Sequence, residues 1–287
     1  LGGAWARAAL ALAAMGLVAF PAIRDPGYPV RMYVPGDWAP IGAADFIQRR
    51  DLHGRMFNLF DQGGYLCFRF WPRRDQLPFM GIHQEGTREL RARYAAAQAS
   101  EAAWRDLLEH YRIDFLVLKR EEGPDGGMLA ILDRGTAWAR VFGDDAACVY
   151  VRRDGHFARL AADSAYTVLP ASGSALPEVG ARAGADTVFR RRLARELERE
   201  VAASPQHGRA LDLLANVALL EGRWDEARAD LIEAVALLPH REGLREKLGI
   251  TALAQGHPRE ALRWFEAERR AIGYRGGLDF RRGQVAQ

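Results

Sequence analysis

Residues 57–72 read FNLFDQGGYLCFRFWP and decide the fold of the central part of the chain. The apolar run at 55–60 is typical of a strand, and the DQGG sequence at 61–64 is typical of a tight turn. Residues 65–71 are apolar on nearly every side, so we expect them to be buried, and Pro72 ends them. Since a strand, a turn and a helix begin a β-α-β unit, residues 65–71 are predicted to be helical.

The segments around this stretch alternate between the helical and the extended period. Apolar residues recur every three or four positions at 87–99 and 101–111, which predicts helices. Short apolar runs at 77–82 and 114–119 predict strands, and DFLVLK at 114–119 is the clearer of the two. Further helices are predicted at 42–50 and 127–133, and a hairpin is predicted from the strands 138–142 and 147–152.

Strands that alternate with helices predict a small three-layer α/β domain over residues 30–155. Its sheet is expected to be mostly parallel, with the hairpin as an antiparallel edge. Ligands of such sheets bind beyond the carboxyl ends of the strands, so the loops at 61–64 and 83–88 define a candidate ligand or acceptor site. The candidate residues are Asp61, Gly63, Gly64, Tyr65, His83 and Glu85.

Each of these candidates also has a simpler structural interpretation. The two glycines serve equally in a plain tight turn, and Asp61 is equally suited to capping the helix that follows. A histidine beside Glu85 could work as an acid or base, but it is also an ordinary loop residue. The two cysteines, Cys67 and Cys148, lie in apolar runs, so we expect two buried thiols, with a disulfide as the alternative.

Beyond residue 186 the sequence repeats itself at an offset of 34 residues. Small residues recur where two helices would approach closely, and a proline follows the second helix. This pattern resembles the tetratricopeptide repeat, and it predicts helical repeats over 187–273 that either bind a peptide in a concave groove or serve only as a packing spacer. Glu268 takes the slot of Ala234 and is expected to face solvent. The signature residues are Leu214, Ala215, Ala218, Gly222, Ala227, Leu231, Ala234 and Pro239, then Leu248, Gly249, Ala252, Gly256, Ala261 and Phe265.

The chain's remaining segments are predicted from composition. Residues 1–23 contain one charge, Arg7, and are predicted to form a transmembrane helix, the last of several in a longer protein of which this chain is a fragment. A signal peptide and a buried Ala-rich helix are the alternatives. Residues 156–186 are rich in Ala, Gly, Ser and Pro and predict an extended linker. Residues 274–287 are expected to form a flexible tail.

Charge and motifs exclude several classes of function. The chain of 287 residues carries 40 basic and 37 acidic side chains. The segments 31–155 and 186–270 are each balanced, with 18 and 15 charges of either sign. A nucleic-acid-binding module would concentrate positive charge, so this function is disfavoured. The sequence contains no phosphate-binding glycine loop, nucleophile elbow or metal-ligand spacing, so no cofactor, no metal and no catalytic residue are predicted.

The segment FNLFDQGGYLCFRFWP, the later PFMGIHQEGT and the W-x-x-LL-x-x-Y-x-I-DFLVL pattern over 104–118 resemble one family. They are similar to the extracytoplasmic C-terminal region of bacterial multi-pass glycosyltransferase-like membrane proteins. The likeness covers about residues 40–152. It extends distantly to the soluble domain of oligosaccharyltransferase catalytic subunits, whose turn holds the acceptor peptide.

The resemblance implies a non-catalytic accessory region, because the catalytic carboxylates of such proteins lie in loops of the membrane half. It implies location at a bacterial inner membrane, with the soluble part periplasmic. The partners implied are the membrane, a protein or peptide in the repeat groove, and a lipid-linked sugar or acceptor. Two alternatives stay open: a repeat scaffold without a link to glycosyl transfer, and an independent enzyme that uses Asp61 and His83.

Overall fold

The computed structural model describes Gly16, residues 38–81, His83, and residues 86–120 and 127–273. The chain divides into two units, Leu1–Pro35 and Gly36–Gln287, and the elements described below belong to the second. The predicted tail at 274–287 lies outside the described residues.

The sheet is built around strand β2, Phe115–Lys119, the buried run that the sequence marks most clearly. The strand β1, Met56–Asn58, pairs with it in parallel, and the strand β4, Ala147–Arg152, pairs with it antiparallel on the other side. The strand β3, Trp138–Gly143, adds to β4 through the predicted hairpin. The strand order in the sheet is therefore β1-β2-β4-β3, with β1 and β3 at its two edges.

The prediction of a mostly parallel sheet is wrong, because two of the three strand pairings are antiparallel. Residues 77–81 form no strand, although 77–82 was expected to. Instead the Asn58 side chain forms hydrogen bonds with the backbone of this segment. Its Oδ1 accepts from the Phe79 N–H at 2.7 Å, and its Nδ2 donates to the Met80 carbonyl at 2.7 Å. A side chain thus replaces the ladder that a further parallel strand would need.

Helices cover both faces of the sheet, since successive residues of β2 point in opposite directions. Phe115 and Val117 belong to one buried cluster, and Leu116 and Leu118 belong to the other. The first cluster includes residues of α1 (Ile41–Arg49), α2 (Phe60–Phe70) and α6 (Ala158–Ser164), and the second includes residues of α3 (Arg88–Ala99), α4 (Glu101–His110) and α5 (Gly127–Arg134).

The segment predicted as a linker, 156–186, contains the helices α6 and α7 (Leu176–Ala185). Between these helices, the backbone is held by Glu196 of α8 (Thr187–Ala203). The Glu196 carboxylate accepts hydrogen bonds from the N–H groups of Thr167, Val168 and Leu169 at 2.7, 3.0 and 2.8 Å. This part of the chain therefore folds onto α8 and does not run as an extended connection.

Four further helices, each packed on the one before it, follow α8. The turns after the first and the third contain Gly222 and Gly256, with φ of 69° and 77°, so both helices end in the same left-handed conformation. Glu268 does not face solvent as expected, because it is buried and its carboxylate accepts the Gly243 N–H at the start of the third helix. The four are α9 (Gly208–Leu220), α10 (Trp224–Leu237), α11 (Leu244–Ala254) and α12 (Pro258–Ile272).

The predicted fold class also included an N-terminal transmembrane helix, and this is overturned: none of the helices in the described part of the chain is long and apolar enough to cross a membrane. A span needs about 20 apolar residues. The helix α8 has 17 residues, and charged side chains interrupt it throughout. Apart from Gly16, the segment 1–23 lies outside the described residues.

Candidate functional site

The helix α2 begins at Phe60, one residue earlier than the predicted turn at 61–64, which is in fact its first turn. The backbone N–H of Phe60 donates to the Tyr94 hydroxyl at 2.8 Å, so a side chain from α3 caps the new helix. Burial raises the pKa of Tyr94 to about 12, and the phenol therefore stays neutral. This cap fixes the position of α2 at the carboxyl end of β1.

Asp61 lies in that first turn and joins the carboxyl ends of the two parallel strands. Its Oδ2 is 3.4 Å from the Nζ of Lys119, the last residue of β2. Its Oδ1 is buried and has no hydrogen-bond partner within the described part of the chain. The neighbouring Gln62 is 2% exposed, and its amide also finds no partner there. Asp61 therefore faces the sheet edge as an ion-pair partner.

The two glycines of α2 differ in what surrounds them. A Cβ on Gly63 would lie 2.0 Å from the carbonyl oxygen of Met80, so only glycine allows residues 77–81 to approach the helix this closely. A Cβ on Gly64 would meet nothing within 4 Å. Glycine inside a helix is about 0.5–1 kcal/mol less favourable than alanine. Packing within the described residues does not explain why position 64 carries this cost.

A cleft of about 440 Å³ lies between α2 and the segment that contacts it, and we call it the α2 cleft. Two aromatic side chains that line it are exposed to an unusual degree: Phe68 is 79% and Trp71 is 68% accessible. The cleft brings together three of the six predicted candidates, Gly63, Gly64 and His83. The other lining residues are apolar or small, namely Cys67, Leu77, Pro78, Phe79 and Gly81.

Two of the remaining candidates, Tyr65 and Asp61, lie elsewhere. The Tyr65 hydroxyl accepts a hydrogen bond from Arg69 Nη1 at 3.0 Å, and the ring packs against the cluster that contains Phe115. Asp61 pairs with Lys119, as described above. Glu85 lies outside the described residues. The structure therefore does not place Asp61 or Tyr65 in the lining of the α2 cleft.

The residues Cys67, Phe68 and Trp71 were not predicted as site residues, because the whole run 65–71 was expected to be buried. All three are exposed. Gly64, Cys67, Phe68 and Trp71 are spaced by three, four and seven residues, which places them on one side of a helix. This spacing was the available signal, since a second apolar stripe on a helix that already buries Leu66 and Phe70 must face something else.

The cleft supports binding of an apolar group. Its free thiol, Cys67, is exposed, whereas Cys148 is buried in the sheet and burial raises the pKa of its thiol. Across the described residues, no three His, Cys, Asp or Glu side chains are placed to hold a metal ion together.

The repeat signature lies in the helix pairs as the spacing requires. Gly222 and Gly256 form the turns, Pro239 follows α10, and Leu214 is half-buried. The other signature residues are buried where the helices meet: Ala215, Ala218, Ala227, Leu231, Ala234, Leu248, Gly249, Ala252, Ala261 and Phe265.

A comparison of the sequence with protein-family models finds no match. A comparison with curated proteins finds no significant relative. Sequence similarity therefore does not show the family of this chain.

Proposed function

We propose that this chain is the non-catalytic recognition region of a glycosyltransferase-like protein that works on the extracytoplasmic side of a bacterial membrane. In this role the α2 cleft holds the prenyl chain of a lipid-linked sugar, and the bond-making groups belong to another part of the parent protein. The proposal rests on the helix stripe formed by Gly64, Phe68 and Trp71. The surface at Gly64, which we call the floor of the cleft, is open among the described residues, and the two aromatic rings beside it are exposed.

The energetics of the cleft support an apolar ligand. An aromatic side chain buries about 150–250 Å² when it is covered, and each Å² of apolar surface removed from water contributes roughly 25 cal/mol. Phe68 and Trp71 keep most of this surface in water. Glycine at position 64 keeps the floor free at a cost to the helix. A flexible hydrocarbon chain would cover both rings and the floor at once, and His83 adds a polar group to the lining.

Alkylation of Cys67 tests this proposal, because the thiol lines the cleft and is exposed while Cys148 is not. Geraniol, a short prenyl alcohol, should slow the reaction of Cys67 with iodoacetamide several-fold, as followed by mass spectrometry. The variant Gly64→Leu fills the floor, so in this variant geraniol should no longer change the rate. The matched control is Gly180→Leu in α7, where the added side chain also meets open space but lies outside the cleft.

Two outcomes would contradict the proposal. In the first, geraniol leaves the alkylation rate of the wild-type protein unchanged. In the second, geraniol protects Cys67 equally in wild type and in Gly64→Leu, which would place the prenyl alcohol away from the floor of the cleft.

A second role, binding of a protein partner by the helical array, is favoured by exposed apolar side chains on α9 and α11. Leu220 is 52%, Ile250 37% and Leu253 36% accessible. Peptides selected by phage display against the chain should lose binding to Ile250→Glu. They should keep binding to Ile232→Glu, which changes a similarly exposed isoleucine on α10. Equal loss in both variants, or no enriched peptide, would contradict this role.

A further inference from the structure

A second cavity, of about 470 Å³, shares no lining residue with the α2 cleft. It is formed by α5, the β3–β4 side of the sheet, the segment 166–175 and the start of α7. We call it the arginine cavity, since its lining contains Arg134, Arg140, Arg153 and Arg182. Two carboxylates, Asp133 and Glu178, also line it, so the lining carries a net charge of plus two.

Part of this positive charge is not neutralised by ion pairs among the described residues. Asp133 already accepts from the backbone N–H groups of Ala171 and Ser172, at 3.2 and 2.8 Å. Within the described part of the chain, Arg134, Arg153 and Arg182 form no ion pair. The guanidinium group of Arg182 interacts electrostatically with the Asp186 carboxylate. Among the described residues, Arg134 and Arg153 therefore line the cavity without an anionic partner, and each carries a planar set of N–H donors.

The fourth arginine is buried in the wall. The Arg140 side chain is 3% exposed, and it donates through Nη1 to Glu200 at 2.9 Å and through Nη2 to the Leu169 carbonyl at 2.7 Å. Its Nε is buried and has no acceptor among the described residues. A buried donor without a partner is unfavourable, so this one is suited to an acceptor that enters from the cavity.

The start of α7 adds a further attraction for anions. The first turn of this ten-residue helix lines the cavity through Glu178 and Val179, and its N-cap, Ala175, has no capping side chain. The Leu176 N–H already donates to the Gly173 carbonyl, so the partial positive charge of the helix N-terminus is what remains for an anion. The half-buried residues Val168, Pro170 and Val179 provide apolar surface beside the charged groups.

We propose that the arginine cavity binds a phosphomonoester. A dianionic phosphate would meet two guanidinium groups, those of Arg134 and Arg153, that form no ion pair within the described residues, and its oxygens suit the paired N–H donors of arginine. The apolar surface takes the organic part of the molecule. This site is independent of the α2 cleft and of the function proposed for it.

Phenyl phosphate, which combines a dianion with an aromatic body, is the probe for the site. Calorimetric titration of the full chain at low ionic strength should show saturable binding of one molecule per chain. Arg153→Gln and Arg182→Gln should each weaken binding about tenfold, as expected for the loss of one charge-assisted hydrogen bond. Arg259→Gln removes the same charge from an exposed site on α12 and should leave the affinity unchanged. Because the three substituted side chains are exposed, circular dichroism should show unchanged folding.

Three results would overturn the proposal. Benzyl alcohol could bind as tightly as phenyl phosphate, or Arg259→Gln could weaken phenyl phosphate binding as much as Arg153→Gln does. In the third result, the protein binds neither phenyl phosphate nor vesicles that contain phosphatidic acid. Vesicles of phosphatidylcholine with phosphatidic acid identify the source of the phosphate. Binding to vesicles alone, lost in Arg153→Gln, would support a lipid headgroup. Binding to phenyl phosphate alone, weakened by the same variant, would support a soluble phosphomonoester.

Discussion

The carboxylate of Asp145 lies 2.7 Å from the backbone nitrogen of Gly208 and accepts its hydrogen bond. Asp145 belongs to the turn between β3 and β4, and Gly208 is the first residue of α9. The second carboxylate oxygen accepts from the Arg209 N–H at 2.8 Å. The hairpin of the sheet therefore caps the first helix of the array, and the two parts of the fold meet in a buried polar joint.

The variant Asp145→Ala should lower the free energy of unfolding by about 1–2 kcal/mol, because two N–H groups at the start of α9 lose their acceptor. Urea unfolding followed by circular dichroism measures this loss. Since the cap also ties the array to the sheet, limited proteolysis should cut the variant faster near residues 204–207 than the wild-type protein.

The matched control for this prediction is Asp186→Ala. Asp186 caps α8 through the N–H groups of Val188 and Phe189, at 2.8 and 3.0 Å, and the cap joins no part of the sheet. This variant should lose stability without faster cleavage near 204–207. If both variants are cleaved at the same rate there, the joint does not hold the two parts together.

Glu200 forms the second connection between sheet and array. It is 1% exposed and lies between Arg120, which follows β2, and Arg140 of β3. Burial acts to raise the pKa of Glu200, but the two guanidinium groups outweigh it and lower the pKa below the ordinary value. Glu200→Gln would leave two buried positive charges without compensation and should cost about 3–5 kcal/mol of unfolding free energy.

Chemical denaturation of Glu200→Gln beside Glu198→Gln tests this prediction. Glu198 is exposed on the same helix, so its variant should stay within about 0.5 kcal/mol of the wild-type protein. Similar stabilities for the two variants would mean that the buried charge cluster contributes little.

The sequence predicts elements well where one periodicity dominates over a long enough stretch. β2 lies in the run DFLVLK, and α3 and α4 lie where apolar residues recur every three or four positions. The prediction fails at 77–82, because a short apolar run does not reveal that the Asn58 side chain will satisfy its backbone groups. Sheet order depends on such long-range hydrogen bonds, and these leave no local signal.

The candidate site shows the same limit. Gly63, Gly64 and His83 were found because strand ends and glycine pairs mark loops in the sequence, although the glycines lie in a helix. The arginine cavity was missed because its basic residues come from four separate elements, and a chain with 38 arginines gives no contrast against which four of them stand out.

Stability should depend on pH through Asp144, which accepts hydrogen bonds from Ala146, Ala147 and Ser204. Burial is the larger effect and raises the pKa of Asp144 from 3.8 to about 7. The folded state thus keeps a proton that the unfolded chain releases near pH 4. The stability from this group is fully present below that pH and is lost as pH rises to about 7.

Asp144→Asn removes this titration. Unfolding free energies measured between pH 5 and 8 should fall with rising pH more steeply in the wild-type protein than in the variant. His53, whose pKa is raised chiefly by its hydrogen bond to Asp51, titrates in both proteins, so the difference between them isolates Asp144. Parallel curves would show that the carboxyl is ionised throughout this range.

The adjacent glycines of α2 should respond to the same substitution with opposite signs. Gly63→Ala places a methyl group 2.0 Å from the Met80 carbonyl, so the contact between α2 and residues 77–81 must open and the unfolding free energy should fall. Gly64→Ala adds a methyl group that meets nothing within 4 Å, and it should stabilise the helix by about 0.5–1 kcal/mol. Thermal unfolding of both variants and the wild-type protein under one set of conditions measures the two changes in stability. If Gly64→Ala also destabilises the protein, then the floor of the α2 cleft is not open, and the room for a prenyl chain disappears with it.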